Sequence, residues 1–437
     1  MRTTRTKRAA DSQQISHMLS QAFALTAIAC CLAVSARAQT ETTLHSFAND
    51  TNGYNPVASL TFDPAGNLFG TTSEGGNFTG CSTGCGVVFE LSPISGGGWS
   101  ESVPYTFTGG KDGANPFVGL VEDAAGNFYG AAGLDGNGTP GYGTIFELSP
   151  VSGGGWSKTT LHSFTGGRDG AGPYGNLILD SAGSLYGTAH NGGSPTCDCG
   201  VAFKLTRTSS GWKETLLHTF TGKDGSRPSA SLIFDFAGNL YGTTSQGGTG
   251  CSVANCGTGV AFELSPLTTG GWKETVLYMF KNGGDGGYPN GGLLFDAAGN
   301  LYGTTQYGGN QADCPGSSGC GVAFELSPRS SGGWKETALH RFSSSDGANP
   351  LAGFVADASG DLYSTASRGG GSNCGVVFKL APAAGGGWTE STTYTFTCLS
   401  DGGYPYASLI LDAAGNLYGT TQIGGANGRG GVFEITP

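Results

Sequence analysis

The sequence has little charge for its length, and most of that charge is negative. Only 12% of the 437 residues are Asp, Glu, Lys or Arg, with 21 basic residues against 32 acidic ones. Nucleic acids and anionic membrane surfaces are bound through basic faces. We therefore expect neither as a partner, whereas cation binding and an ordinary acidic surface both fit this composition.

The sequence also lacks long apolar segments, and no stretch after residue 38 shows the 3.6-residue apolar period of a helix. The apolar run Ala22–Val34 is too short to span a bilayer, so no membrane span is expected. The run ends in the small-x-small sequence Ala36-Arg37-Ala38 and follows a basic region that contains Arg2, Arg5, Lys7 and Arg8. This arrangement predicts a signal peptide over residues 1–38, cleaved after Ala38.

Cleavage there predicts an exported protein, either secreted or retained in the periplasm or at the cell surface. It removes five basic residues and one acidic residue, which leaves 16 basic and 31 acidic residues and a net charge of −15.

Catalytic motifs are missing as well. The sequence has no Gly-x-Ser-x-Gly elbow, phosphate-binding loop, His-Glu-x-x-His motif or nicotinamide-binding fingerprint. Glycosidase or lyase chemistry needs only two or three positioned groups and carries no such motif. We therefore expect a non-catalytic binding or surface-interaction module without a cofactor. A polysaccharide-active extracellular enzyme, a glycosidase or lyase, is the alternative.

Glycine, in contrast, is abundant, and its 81 residues recur at fixed places beside Phe, Tyr, Leu and Val. This recurrence indicates ordered turns between short strands. A unit with the core Asp63-Pro-Ala-Gly-Asn-Leu-Phe-Gly70 occurs seven times at spacings of 55 to 61 residues. The unit begins again at Asp123, Asp180, Asp235, Asp296, Asp357 and Asp412. Such a period indicates stacked or radially repeated units rather than separate domains.

Each unit predicts four β-strands. In the fourth unit these are residues 231–234, 240–244, 259–264 and 273–280, with a tight turn at 235–239 and a Gly-Gly-Trp turn at 270–272. Seven such units predict an all-β, seven-bladed β-propeller of four-stranded blades, as a single domain over residues 39–437. An open β-solenoid is the second interpretation.

The two ends of the chain favour the closed ring. The seventh unit stops at residues 431–437, before its fourth strand, and the missing strand is found at residues 41–47, whose sequence matches residues 214–220. The N-terminal strand is therefore predicted to complete the last blade, which leaves no blade with an unmatched edge.

The repeat also resembles a known family. The pattern Asp-x-Ala-Gly-Asn-Leu-Tyr-Gly-Thr-Thr…Gly-Gly…Val-Phe-Glu-Leu is similar to the GloVer-type tandem repeats of exported bacterial "choice-of-anchor" proteins. The resemblance covers nearly the whole chain after residue 38. It implies an exported, propeller-like repeat protein, and it implies no particular activity and no catalytic residues.

Ten of the 12 cysteines lie outside the predicted signal peptide. Eight of them form local pairs in the loops between second and third strands, namely Cys81/Cys85, Cys197/Cys199, Cys251/Cys256 and Cys314/Cys320. Paired cysteines in an exported protein indicate disulfides. Cys374 and Cys398 lie in loops that leave a blade on the same face, so they are predicted to form a fifth bridge. Metal sites are disfavoured because the pairs belong to different blades.

The connections between units carry an Asp-Gly-x-x-Pro motif, and these loops are expected to ring the mouth of the central channel. The aspartates are Asp112, Asp169, Asp224, Asp285, Asp346 and Asp401. A ring of carboxylates would suit Ca²⁺. Each Asp, however, has a sufficient local role in its turn, so no obligatory metal is predicted and weak Ca²⁺ binding is the alternative.

Selectivity is expected from residues that differ between blades. The candidate binding residues on the loop face are Tyr54, Tyr142, Tyr174, Tyr288, Tyr307, Arg368, Tyr404 and Tyr406. Tyrosines with a few charged groups suit sugars or peptide segments, which predicts a carbohydrate or an extracellular protein as partner of a monomeric module. The histidines at one strand position alternate with Tyr, which indicates packing and hydrogen bonding. His190 departs from the repeat and is expected to be a surface residue.

Overall fold

The computed structural model describes residues 39–48, 51–133, 141–248, 257–312, 314 and 318–436. Thr40–Thr436 forms one compact unit. In this part of the chain the strands form seven antiparallel sheets of four strands each, the blades of a propeller. The predicted all-β, seven-bladed fold is confirmed. The predicted signal peptide, residues 1–38, lies outside the described residues.

The first two strands of each blade are short. The innermost strands, in the order of blades 1 to 7, are β2 (Thr61–Phe62), β6 (Val121–Glu122), β10 (Ile178–Leu179), β14 (Ile233–Phe234), β18 (Leu294–Phe295), β22 (Val355–Ala356) and β26 (Ile410–Leu411). The second strands are β3 (Leu68–Thr72), β7 (Phe128–Ala132), β11 (Leu185–Ala189), β15 (Leu240–Thr244), β19 (Leu301–Thr305), β23 (Leu362–Ala366) and β27 (Leu417–Thr421).

The outer two strands of each blade are longer. The third strands are β4 (Val87–Pro93), β8 (Thr144–Pro150), β12 (Val201–Thr208), β16 (Val260–Pro266), β20 (Val322–Pro328), β24 (Val376–Pro382) and β28 (Gly431–Thr436). The outermost strands are β5 (Trp99–Thr106), β9 (Trp156–Ser163), β13 (Gly211–Thr219), β17 (Trp272–Met279), β21 (Trp334–Arg341), β25 (Trp388–Thr395) and, for blade 7, β1 (Thr40–Ser46). A 3₁₀ turn, Gly110–Asp112, is the one helical element of the described residues.

The turn between the first two strands is built by the aspartate that begins each repeat. In blade 4, Asp235 Oδ1 accepts hydrogen bonds from the backbone N–H groups of Ala237 and Asn239, at 2.8 and 2.9 Å. Its Oδ2 accepts a bond from the side-chain amide of Asn239 at 2.8 Å. These bonds replace backbone partners that the tight turn lacks, which gives this Asp a structural role.

Glycine in the second strand makes room for the core. A Cβ on Gly242 would lie 2.8 Å from Phe262 Cζ and 2.8 Å from Leu232 Cδ2. Real side chains do not approach so closely, so only Gly lets the aromatic ring of the third strand lie against the second. The whole of Leu240–Thr244 is buried as a result.

Neighbouring blades are joined through pairs of phenylalanines. The Phe that follows each outermost strand packs edge-to-face on the Phe of the third strand in the next blade, with ring centroids 4.8 to 5.3 Å apart. The pairs are Phe47–Phe89, Phe107–Phe146, Phe164–Phe203, Phe220–Phe262, Phe280–Phe324, Phe342–Phe378 and Phe396–Phe433. This geometry is favourable for aromatic rings, and it recurs at all seven junctions.

Backbone hydrogen bonds repeat around the same ring. The residue before each connecting proline donates its N–H to a carbonyl in the loop between the second and third strands of the previous blade, over 2.7 to 3.0 Å. The bonds are Asn55→Arg429, Asn115→Cys85, Gly172→Tyr142, Arg227→Cys199, Tyr288→Thr258, Asn349→Cys320 and Tyr404→Cys374. Because one bond links blade 7 to blade 1, the ring is closed.

The predicted closure by the N-terminal strand is confirmed. β1 pairs antiparallel with β28, from Thr40 opposite Thr436 to Ser46 opposite Gly431. The register shifts between Thr43 and His45, as the corresponding pairs shift in the other blades. The N-terminal segment is therefore a true fourth strand of blade 7.

The innermost strands are shorter than the sequence predicts. In blade 4 the ladder begins at Ile233, not at residue 231. The Ala230 carbonyl accepts a hydrogen bond from Thr188 Oγ1 of blade 3 at 3.2 Å, and Ser231 Oγ accepts one from the backbone N–H of Asn176 at 3.1 Å. This segment is held by the neighbouring blade instead of by its own β15.

Four of the five predicted disulfides are present, at Cys81–Cys85, Cys197–Cys199, Cys314–Cys320 and Cys374–Cys398. Both Cys251 and Cys256 lie outside the described residues, so the pairing of Cys256 with Cys251 stays a prediction.

Among the described residues, no helix is long and apolar enough to cross a membrane.

Candidate functional site

The central channel is lined by the segments that follow the connecting prolines. These segments surround a cavity of about 110 Å³. Each blade contributes the residue directly after its proline, and all seven residues are half-exposed: Val57, Phe117, Tyr174, Ser229, Asn290, Leu351 and Tyr406. We call this set the channel ring. Its members occupy one repeat position, yet they include six residue types, with Tyr at both 174 and 406.

The channel ring has an aromatic arc and a polar arc. Going around the ring, blades 6, 7, 1, 2 and 3 contribute Leu351, Tyr406, Val57, Phe117 and Tyr174, three of which are aromatic and two aliphatic. The Phe117 and Tyr174 rings meet edge-to-face, with centroids 5.9 Å apart. Blades 4 and 5 contribute Ser229 and Asn290. A ligand at this mouth would meet flat apolar surface on one side and hydrogen-bonding groups on the other.

Two of the eight predicted binding residues, Tyr174 and Tyr406, are therefore in the channel ring. Sequence reasoning missed Phe117, Leu351 and the other members because it selected tyrosines by residue type. The variable position after each proline would have identified them.

Four further predicted residues form two pairs, and one member of each pair lies immediately before a connecting proline. Tyr288 and Tyr404 have φ of 59° and 56°, in the left-handed region that bulky residues rarely adopt. The Tyr307 ring lies 5.4 Å from that of Tyr288, and the Arg368 guanidinium lies 3.8 Å from the centre of the Tyr404 ring. These four half-exposed side chains form two packed pairs on the loop face.

The last two predicted residues differ in exposure. Tyr54 is only 5% exposed, its hydroxyl donates a hydrogen bond to the Thr83 carbonyl at 2.9 Å, and Arg429 lies over its ring at 4.9 Å. Burial, aided by the nearby Glu74 carboxylate, raises the pKa of Tyr54. Tyr54 is thus part of the framework. Tyr142 is 38% exposed and is free to contact a ligand at the rim.

His190 is not the surface residue that the sequence predicts. Both ring nitrogens are buried and have no hydrogen-bond partner, and the imidazole packs edge-to-face against Tyr174 at 5.4 Å. Burial, with a smaller contribution from the Arg227 charge, lowers the pKa of His190 to about 4. A neutral imidazole behind Tyr174 supports the aromatic arc from the inside.

The six connection aspartates do not ring the channel mouth, contrary to expectation. Each accepts a hydrogen bond from, or lies within 3.7 Å of, the Tyr or His of its own blade's outermost strand: Tyr105–Asp112, His162–Asp169, His218–Asp224, Tyr278–Asp285, His340–Asp346 and Tyr394–Asp401. They lie at the outer part of the ring because the outermost strand holds them there.

Each of these six pairs is faced by a third side chain from the outermost strand of the next blade. Between blades 7 and 1, His45 and Asn52 take the place of the pair and both contact Glu101. We call the resulting sets junction triads. In order from blade 7 they are His45–Asn52–Glu101, Tyr105–Asp112–Lys158, His162–Asp169–Glu214, His218–Asp224–Glu274, Tyr278–Asp285–Glu336, His340–Asp346–Glu390 and Tyr394–Asp401–Glu41.

Several triad glutamates are incompletely paired. The Oε1 atoms of Glu214, Glu274 and Glu336 are buried and have no hydrogen-bond partner. In each case burial, together with the neighbouring Asp, raises the pKa of the glutamate to about 7. At the blade 1–2 junction the position belongs to Lys158, whose ammonium lies 2.7 Å from Asp112 Oδ1.

The side chains that line the channel cavity offer surfaces for contact and hydrogen bonding. Of the described residues that line the channel cavity, none is an Asp, Glu, His or Lys. Hydrolysis of a glycoside needs two carboxyl groups about 5–10 Å apart across the scissile bond. The lining offers aromatic faces, amides and hydroxyls instead.

Comparisons with known proteins match the repeat to a family. A family model described as the Gloeobacter/Verrucomicrobia repeat matches residues 31–196, 135–328, 176–385 and 313–437. No curated protein gives a significant match. A solved structure from Thermus thermophilus, described as a putative oxidoreductase (glucose dehydrogenase), is similar over 91% of this chain and 100% of that one, with 14% identity and a TM-score of 0.39. A likeness at this level carries no argument about activity.

Proposed function

We propose that this chain, which belongs to the Gloeobacter/Verrucomicrobia repeat family, is an exported, non-catalytic module that binds carbohydrate at the channel mouth. The observation that carries the proposal is the channel ring. Seven equivalent positions carry six residue types, and these divide into an aromatic arc, which includes two aliphatic residues, and a polar arc. The framework contacts repeat from blade to blade, so residues that differ at an equivalent position are the natural source of selectivity.

Sugars suit this division. A pyranose ring presents a face of C–H groups and a rim of hydroxyls, which match Phe117 and Tyr174 on one side and Asn290 and Ser229 on the other. The shallow cavity accepts a chain end or a loop of polymer, not a buried small molecule. Two packed pairs, Tyr288–Tyr307 and Arg368–Tyr404, extend the contact surface outward.

Export is supported by the disulfides. Four bridges occur in the described residues, and such bonds form and persist in oxidising compartments. An extracellular glycan or a cell-surface polymer is available to a protein in such a compartment.

The test is a glycan and polysaccharide binding screen, with titration calorimetry on the hits and chromatographic analysis of the polymer after incubation. We expect binding without turnover, and we expect the double variant Phe117→Ala/Tyr174→Ala to bind at least about tenfold more weakly, the equivalent of about 1.4 kcal/mol. The matched control is Phe236→Ala, which removes an exposed aromatic from the turn between β14 and β15.

Three outcomes would contradict the proposal. Release of shortened polymer would favour the enzyme alternative. Equal affinity of the double variant and the control would place the site elsewhere. Binding of peptides but of no glycan would leave the site in place and change the class of ligand.

A further inference from the structure

Two junction triads bring together three different metal-ligating side chains. The ligand atoms of His218, Asp224 and Glu274 all lie within 4.8 Å of one another, and so do those of His340, Asp346 and Glu390. In the described part of the chain, these are the two sets of three or more His, Cys, Asp or Glu side chains that meet this condition. In both, the imidazole Nε2 faces the Asp Oδ2, at 3.0 and 3.2 Å.

The first of these triads is short of positive charge. It contains two carboxylates and one imidazole, and the Oε1 atom of Glu274 is buried without a hydrogen-bond partner. A buried carboxylate oxygen normally finds a donor or a cation, because leaving it unpaired costs on the order of 1–3 kcal/mol.

The blade 1–2 junction shows how this position accepts a cation. There the glutamate is replaced by Lys158, whose Nζ lies 2.7 Å from Asp112 Oδ1 and 2.6 Å from the Asp112 carbonyl oxygen. The Lys158 side chain is almost fully buried, with 3% exposure. At this junction the Lys158 ammonium is the cation beside the connection aspartate. The two triads described above have Glu274 and Glu390 at the same position.

We propose that the triads His218–Asp224–Glu274 and His340–Asp346–Glu390 each bind one divalent transition-metal ion, of which Zn²⁺ is the representative. One imidazole nitrogen and two carboxylates form a donor set that suits Zn²⁺, whereas Ca²⁺ prefers oxygen ligands alone. Three protein ligands leave a coordination position for water.

The exposure and the position of the two triads both fit metal binding. The His and Asp side chains retain exposures of 19% and 19% in one triad and 21% and 25% in the other, so an ion can reach them from solvent. In each triad the His and Asp come from one blade and the Glu from the next. A bound ion would therefore fasten two neighbouring blades together at the outer part of the ring.

The proposal is tested on the chelator-treated full mature chain by calorimetric titration with Zn²⁺ and by visible absorption with Co²⁺. We expect two equivalents of metal per chain. Glu274→Gln and Glu390→Gln should each reduce this number to one, and the double variant should bind none. The matched control is Glu336→Gln, at the same strand position in a triad that has Tyr278 in place of His; it should retain two equivalents.

A further variant separates metal binding from folding. Glu274→Lys copies the blade 1–2 junction, so it should keep the far-ultraviolet circular dichroism of the parent and lose one equivalent. At saturating Zn²⁺ the melting temperature of the parent should rise, because an ion that binds only the folded chain stabilises it by mass action. The proposal is overturned if the parent binds no Zn²⁺, if the double variant still binds two equivalents, or if Glu336→Gln loses a site.

Discussion

The negative charge of the Glu336 carboxylate is only partly balanced by its neighbours. It belongs to the triad with Tyr278 and Asp285, and the Tyr278 hydroxyl donates its hydrogen bond to Asp285 at 3.0 Å, which leaves Glu336 Oε1 buried and unpaired. Burial, followed by the Asp285 charge, raises the pKa of Glu336 to about 7, against the smaller opposing effects of Arg341, Lys335 and Lys281. Folding stability should therefore depend on pH in this range.

The sign of this dependence follows from proton binding. The pKa of Glu336 is higher in the folded chain, about 7, than the ordinary value of 4.5, so the folded state holds the proton more tightly. The stabilisation is complete below about pH 4.5 and is lost as the pH rises through 7. Glu336→Gln keeps the shape without the charge, and we expect it to be more stable than the parent at pH 8 and similar to it at pH 5. Urea unfolding at both pH values, with chelator present, measures this. A stability difference that is the same at both pH values would contradict it.

Local chemistry at single residues was predictable where the partner lies close in sequence. The role of Asp235 follows from a turn that closes within four residues, and the exchange of Tyr with His at one strand position correctly indicated hydrogen bonding. The burial of His190 was not predictable, because Tyr174, which packs against it, comes from the connecting segment before β10. For the same reason the unpaired Glu336 is visible only once two blades are side by side.

At the scale of elements, the loops between second and third strands determine how each blade meets the next. The Cys374 carbonyl accepts the N–H of Tyr404 at 2.8 Å, and the disulfide of Cys374 with Cys398 ties the same loop to the connection that enters blade 7. The Cys81–Cys85 bridge, in contrast, closes a loop within blade 1. The two bridges should therefore differ in their contribution to stability.

The disulfide Cys374–Cys398 is expected to contribute more to stability than Cys81–Cys85. They join residues 24 and 4 apart, and the chain-entropy model assigns about 3.5 and about 2 kcal/mol to loops of these lengths. Replacing Cys374 and Cys398 together with Ala should lower the free energy of unfolding by more than replacing Cys81 and Cys85 with Ala. Denaturant unfolding of the two double variants under one set of conditions gives the comparison. An equal loss, or a larger loss at Cys81/Cys85, would show that native contacts of the short loop outweigh the entropy of closure.

In blade 4 the second strand was predicted to the residue, as residues 240–244. The turn at residues 235–239 sets where this strand begins, and its own hydrophobic pattern sets where it ends. The innermost strand was predicted too long, because Ala230 and Ser231 bond to blade 3 and no local pattern records this. The place of the connection aspartates was wrong for a related reason: the partner of Asp224 is His218 on the outermost strand, not the channel.

At the scale of the whole molecule, the residues that repeat in every blade build the propeller, and the residues that differ between blades form the candidate sites. Seven phenylalanine pairs and seven backbone hydrogen bonds make the junctions alike. The channel ring differs between blades on the inside, and the junction triads differ near the outer strands. The fold could be predicted because every unit repeats the same pattern of turns and strands. The two sites depend on single positions in separate units, so their geometry required the assembled ring.

Closure of this ring depends on one strand from the far end of the chain. β1 supplies the outer edge of blade 7, and Phe47 beyond it packs on Phe89 of blade 1 with ring centroids 5.0 Å apart. The split of one repeat between the two ends of the sequence was sufficient to predict this arrangement, since a closed ring requires the missing strand and an open solenoid does not. The strength of the closure is a separate question that deletion can answer.

Deletion of residues 39–48 should destabilise the ring strongly. It exposes the edge of β28 and removes the Phe47 ring, which is 1% exposed, and the loss of one such buried aromatic alone costs on the order of 3–5 kcal/mol. A permutant provides the control: residues 39–48 are moved to follow residue 437 through a copy of the turn 329–333, and the chain then begins at residue 49. It should recover most of the parent's melting temperature, because its blade 7 has the continuous connection of blade 5, where the Arg329 N–H bonds to the Gly333 carbonyl. Thermal unfolding followed by tryptophan fluorescence compares the three chains. If the deletion variant melts at the temperature of the parent, β1 does not fasten the ring; if the permutant melts as low as the deletion variant, the strand stabilises the protein only when it joins the two ends of the chain.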